Sequence, residues 1–135
     1  MTARFQKSIS VELKLTTNSN GTSLNFLDVP QLRGKYVQGI EAFTDSQVKK
    51  TMTQTDVIAD AGKTGLLVNI VVDSDTILEN LPYYTLIATY NGGLIRQFKN
   101  IKININKSNI YIGDGTSLVS GTSAFFTFYY TDQPL

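Results

Sequence analysis

The chain has 135 residues and a formal net charge of +1, from 12 basic and 11 acidic side chains, and it contains no His, Cys or Trp. That length makes one domain that buries roughly two-thirds of its unfolded surface without a disulfide or metal staple, and missing His and Cys remove the commonest general base, the best nucleophile and the usual transition-metal ligands. The near-neutral balance excludes the basic footprint of a general nucleic-acid binder, and a charged fraction of 17%, below the ~25% usual for soluble domains, suits a surface that packs against neighbours.

Residues 1–7 run straight into an alternating segment, without a basic stretch followed by an apolar run, so the expectation is a chain made in the cytosol with no secretory signal. The longest apolar stretches, 66–68 and 70–72, are too short to span a bilayer. Phe5, Ile9, Val11, Leu13 and Leu15 alternate with polar residues, interrupted only by Lys7, which predicts a long strand with one wet side. Asn20-Gly21 supplies a tight turn. Leu24, Phe26 and Leu27 restart a short extended run that Pro30 ends or confines to an edge.

Residues 35–44 read as a strand, with Tyr36, Ile40 and Ala42 on one side and Val37 and Phe43 on the other; Gly39 marks a bulge or a close approach. Residues 44–61 hold the one helix candidate, opened by Thr44 and Gln47 as a capping box. Thr51, Thr53 and Thr55 oppose a helix there, so a short helical turn followed by an extended piece is expected. After a turn at 62–65, residues 66–72 are apolar at six of seven positions and predict a central strand covered on both faces. Asp73-Ser74-Asp75 ends it. A loop through Asn80-Leu81-Pro82 and a strand over 84–90 follow, then Asn91-Gly92-Gly93 as a hairpin turn. The return strand places Arg96 and Phe98 in one parity and Ile101, Ile103 and Ile105 in the other, which requires a bulge near Lys99-Asn100. Residues 109–112 form a short strand and 123–131 the last one. These elements describe a single all-β domain over 1–135, an antiparallel β-sandwich of about eight strands and jelly-roll type.

The candidate sites are few. Ala61-Gly62-Lys63-Thr64 has the ending of a phosphate-binding loop, but position 57, where that motif needs Gly, is Val57; a plain turn is the better reading. Asp73 and Asp75, with Glu79 nearby and Asp56 and Asp60 upstream, are the weak candidates for a Ca²⁺ site or a carboxylate pair. No Gly stands where a Ca²⁺-binding loop requires one, so a solvated loop is expected, with no metal, cofactor or catalytic residue. Arg96, Lys99, Lys102 and Lys107 are the main basic cluster, read as protection of an edge strand rather than a phosphate track beside Phe98.

The last strand carries Phe126, Phe128 and Tyr130 on one face and Phe125 and Tyr129 on the other. One face fills the core, and the other needs cover, since monomers seldom expose a large apolar patch. Phe126 and Phe128 are therefore expected in the core, and Phe125, Tyr129, Tyr83 and Tyr84 at an interface. The tyrosines at 83 and 84 also suit an alternative function, a carbohydrate-binding or adhesin-like module.

A Cys- and His-free chain with Thr/Asn/Gly-rich turns, ending in the strand Ala124-Phe125-Phe126-Thr127-Phe128-Tyr129-Tyr130, resembles small bacteriophage and virus structural proteins: jelly-roll capsid, penton or decoration subunits, or tail and fibre modules. The likeness covers the whole chain as texture and carries over no residue. It implies a structural subunit of a virion, made in the host cytoplasm. Its partners would be other virion proteins and copies of itself, with no enzyme activity, cofactor, membrane or nucleic acid.

Overall fold

A computed structural model describes residues 6–14, 22–43, 66–72, 75–88, 93, 95–112 and 123–135. The expected turns at Asn20-Gly21 and 62–65, and the helical turn and extended piece within 44–61, lie outside these residues. Among the described residues there are eight strands: β1 (Lys7–Lys14), β2 (Thr22–Asn25), β3 (Tyr36–Phe43), β4 (Leu66–Val72), β5 (Asp75–Pro82), β6 (Arg96–Ile101), β7 (Asn109–Ile112) and β8 (Ser123–Thr131). They form two four-stranded sheets with the orders β1-β8-β3-β6 and β2-β7-β4-β5. Every strand pairing is antiparallel, so the expected antiparallel sandwich is what the chain adopts. Among the described strands, only β4 and β5 are consecutive within one sheet; every other consecutive pair is divided between the two sheets.

Alternation decides which side faces in. On β8, Ala124, Phe126, Phe128 and Tyr130 point into the sandwich, and their partners across the sheet are Leu13, Val11, Ile9 and Lys7 of β1. On the other flank Phe126, Phe128 and Tyr130 meet Ala42, Ile40 and Val37 of β3. The facing sheet contributes Leu66, Val68 and Ile70 of β4 with Ile110 and Ile112 of β7, all fully buried. Phe26, just past β2, seals this core: its ring meets Phe126 edge-on at 5.2 Å and Phe128 at 6.5 Å. Burying one such ring stabilises the fold by about 1.5–3 kcal/mol.

The register departs from simple alternation where the sequence marks it. Between Val37 and Gly39 the pairing of β3 with both neighbours shifts. That bulge puts Val37 on the same inner face as Ile40 and Ala42, and leaves Tyr36 with Glu41 and Phe43 outward, correcting the face assignment read from strict parity. Gly39 also allows a close approach, since a Cβ there would stand 3.4 Å from the Arg96 carbonyl and from Ile95. Opposite, β6 takes four steps, from Gln97 to Ile101, where β3 takes two, from Gly39 to Val37. Asn100 takes the positive φ of 51°, so the parity flip at Lys99-Asn100 is a bulge. Ile103 and Ile105 are buried after β6 has ended, on the crossing to the other sheet.

Two expectations between residues 75 and 90 fail. Residues 75–82 are a strand, not a loop. Asn80 sits at φ 52° in an irregular pairing with β4, whose register shifts twice between Val68 and Val71. The Asn80 N–H donates to the Asn69 side chain at 2.8 Å, and Asn69 donates to Asn109 at 3.0 Å, so a ladder of amides holds the bulged edge. Where a strand over 84–90 was expected, the described residues 84–88 hold the 3-10 turn Tyr83–Leu86 and a lone bridge from Ile87 to Ala42; 89–90 lie outside the described residues. Of the expected turn Asn91-Gly92-Gly93 only Gly93 is among the described residues; it has φ 83° and its N–H donates to the Ala88 carbonyl at 2.7 Å. β4 is an interior strand as expected, with Leu66, Val68 and Ile70 buried; Leu67, Asn69 and Val71 on its other face are half-covered.

Candidate functional site

The chemistry-bearing side chains of the described surface gather on the outer face of the sheet β1-β8-β3-β6. Its rows follow from the register: Glu12, Phe125 and Phe43; Ser10, Thr127 and Glu41; Ser8, Tyr129 and Gly39. Phe43, Glu41, Phe125 and Tyr129 are half-buried, and Thr127 is buried. The Ser10 and Thr127 hydroxyls lie 3.3 Å apart. Two shallow depressions flank this middle row. One, of about 290 Å³, lies against Ser10, Glu12, Phe43, Phe125 and Thr127. The other, of about 260 Å³, lies against Gln6, Gln38, Gln97, Ile95, Phe98 and Tyr129.

Electrostatics on this face centre on Glu41. Partial burial raises its carboxyl above the ordinary carboxylate value, and a hydrogen bond with Tyr129 opposes the shift. Burial likewise raises the Tyr129 phenol, helped by the negative charge and hydrogen bond of Glu41. Below them the amides are already committed. Gln38 donates to Asn100 at 2.9 Å and to Thr131 at 2.7 Å, and accepts from Gln6 at 3.3 Å. The face therefore offers aromatic edges and hydroxyls, with one restrained carboxylate at its centre.

The structure separates the four expected interface residues. Phe125 and Tyr129 lie on this outer face, and Phe126 and Phe128 in the core. Tyr84 is 45% exposed, on the 3-10 turn. Tyr83 is a correction: it is 1% exposed and belongs to the core. Its ring meets Phe126 edge-on at 5.5 Å. Its hydroxyl donates to the Phe43 carbonyl and accepts from the Phe125 N–H at 3.1 Å. A paired Tyr-Tyr sequence does not distinguish the two roles; the 3-10 turn does, by sending neighbouring side chains in different directions.

Asp73 lies outside the described residues. Asp75 opens β5 opposite Val72, and Glu79 is exposed on the same strand. Among the described residues no three His, Cys, Asp or Glu side chains come together as a metal site, and no helix is long and apolar enough to cross a membrane. The basic residues divide among elements. Arg96 and Lys99 are exposed on the edge strand β6, Lys102 lies 4.9 Å over the Tyr36 ring, and Lys107 ends a 3-10 turn. Sequence reasoning missed Glu41 and the Gln6–Gln38 pair; a carboxylate inside an otherwise apolar strand was the available signal. Comparison of the chain with family models, curated proteins and solved structures finds no match.

Proposed function

We propose that this chain is a jelly-roll subunit of a virion coat, made in the host cytoplasm, that acts by packing against copies of itself and other coat proteins and carries out no catalysis. The pairing order supports the architecture. The pairs β4–β5, β3–β6, β2–β7 and β1–β8 nest inside one another, as in one long hairpin. The pairs β3–β8 and β4–β7 then close the rolled ribbon into two sheets. Two Greek keys combined in this way form the double sheet used by viral capsid and lectin domains.

Architecture does not assign function by itself. The observation that carries the step to assembly is the outer row of β8, where Phe125 lies beside Phe43 and Tyr129 beside Gly39, both rings half-buried on a face whose carboxylates are Glu12 and the Tyr129-bonded Glu41. Aromatic side chains are enriched, and charges depleted, where proteins meet, and a few such anchors hold most of the affinity. In a closed shell, many contacts of this kind add by multivalency. The lectin-like alternative rests on the exposure of Tyr84.

Sedimentation of the purified chain across protein concentration tests the reading. The expected result is a defined oligomer or particle that Phe125→Ser weakens. A constant monomer mass, together with saturable oligosaccharide binding that Tyr84→Ala removes, overturns it.

A further inference from the structure

We infer that the outer edge of β1 pairs with β1 of a second copy, antiparallel and about a two-fold axis through Ser10, joining two four-stranded sheets into one of eight strands. This names the contact through which the proposed assembly is built and rests on that reading. Its first ground is a contrast among the four sheet edges, which are β1, β6, β2 and β5. Proteins blunt edges with short strands, bulges, Pro and Lys, because an open row of N–H and C=O groups recruits another strand. β2 has only four residues. β5 is irregular, contains the positive-φ Asn80 and ends in Pro82. β6 is bulged at the positive-φ Asn100 and carries exposed Arg96 and Lys99. β1 has none of these devices along its middle. It keeps one register with β8 over eight residues, from Lys7 opposite Tyr130 to Lys14 opposite Ser123, with no Gly, Pro or positive φ. Among the described residues it pairs on that side alone.

The second ground is self-complementarity. Same-face pairing of two identical antiparallel strands requires partners of equal parity, because a one-residue slip exchanges the faces. Centring the pair on Ser10 overlaps all of residues 6–14. Ile9 then lies opposite the second copy's Val11, Ser8 opposite its Glu12, Lys7 opposite its Leu13 and Gln6 opposite its Lys14. No like charges oppose one another, and the carboxylate meets a hydroxyl. Ile9 and Val11 face the core yet remain half-buried, whereas Leu13 is buried. Pairing covers both of them, twice, across the axis.

Ser10 is exposed, so its substitution tests the pairing without entering the core. Ser10→Lys sets two ammonium groups opposite each other in the pair, and Ser10→Glu sets two carboxylates. Sedimentation equilibrium is expected to show each variant associating at least about fivefold more weakly than the wild type, because directly opposed like charges disfavour strand pairing. A one-to-one mixture of the two is expected to recover association, a result that misfolding of either variant cannot produce. Variants that associate like the wild type overturn the β1 pairing while leaving assembly through another surface standing. Weakening without recovery on mixing overturns it as well. A wild-type chain that stays monomeric also overturns the pairing, and the oligosaccharide titration above then decides the assembly reading separately.

Discussion

The Tyr83 hydroxyl joins the end of β3 to the start of β8 from inside the core, between the Phe43 carbonyl and the Phe125 N–H. Removing only that oxygen keeps the ring contact with Phe126 but leaves buried backbone groups poorer by a partner, a change that costs about 1–3 kcal/mol. Tyr83→Phe is therefore expected to lower the urea midpoint with an unchanged slope, since the surface exposed on unfolding is the same. Asp132 works differently, at the surface. Hydrogen bonds from Lys35 and Lys7, at 2.7 and 2.9 Å, hold its carboxyl at about 2, against an ordinary 3.8. The unfolded chain takes up the proton first, so the stabilisation is complete above the ordinary value and fades as pH falls from 3.8 towards 2. Lys7 and Asp132 are exposed and Lys35 is partly so, which makes the contribution small and salt-sensitive. Melting curves of Asp132→Asn should lie slightly below the wild type at pH 6 and converge with it across that acid window. A difference that persists below pH 2 would assign Asp132 a role other than charge pairing.

Among the elements, bulges rather than straight strands limited what the sequence disclosed. Alternation located β1, because a strand with one buried face repeats every two residues, and a continuous apolar run located β4 as a strand interior to its sheet. Alternation also disclosed the bulge in β6, since Phe98 and Ile101 cannot share an inner face without one. It failed on β5. There the pairing with β4 shifts register twice, leaving Leu78 buried and Ile77 39% exposed, and Asn80 and Pro82 resemble loop residues when read locally. Pro is compatible with that place because β5 is an edge. Phe125 and Tyr129 were legible because β8 carries rings on both faces, whereas Tyr83 and Tyr84 were not, because a single 3-10 turn has no periodicity to read. The Asn80 conformation can be tested directly. At φ 52° a side chain with a branched Cβ is strained by about 1–2 kcal/mol, and Gly is not. Asn80→Val should lose about that much stability in chemical denaturation, while Asn80→Gly should stay close to the wild type. Equal losses in the two variants would mean that the Asn80 side chain, not its backbone, matters.

At the scale of the molecule, the nesting of pairs makes most contacts long-range. β1 finds β8 across more than a hundred residues, with Lys7 opposite Tyr130, and only β4–β5 closes locally. Chains of such topology fold in milliseconds to seconds, because loop closure must precede the contacts that reward it. The same order ranks local stability. β8 and β3 are interior to one sheet and β7 and β4 to the other, so their amides open only with the whole core, whereas edge strands open more cheaply. Hydrogen exchange at low protein concentration should therefore protect β8 and β4 most and β1, β2, β5 and β6 less. Raising the concentration separates the edges from one another. Binding that favours the native state adds protection where it covers backbone, so β1 should slow with concentration while β5 and β6, blunted by bulges, do not. Uniform slowing of every edge would point to a contact through the aromatic face instead. A β1 insensitive to concentration, in a sample whose mass rises with it, would put the subunit contact elsewhere on the sandwich.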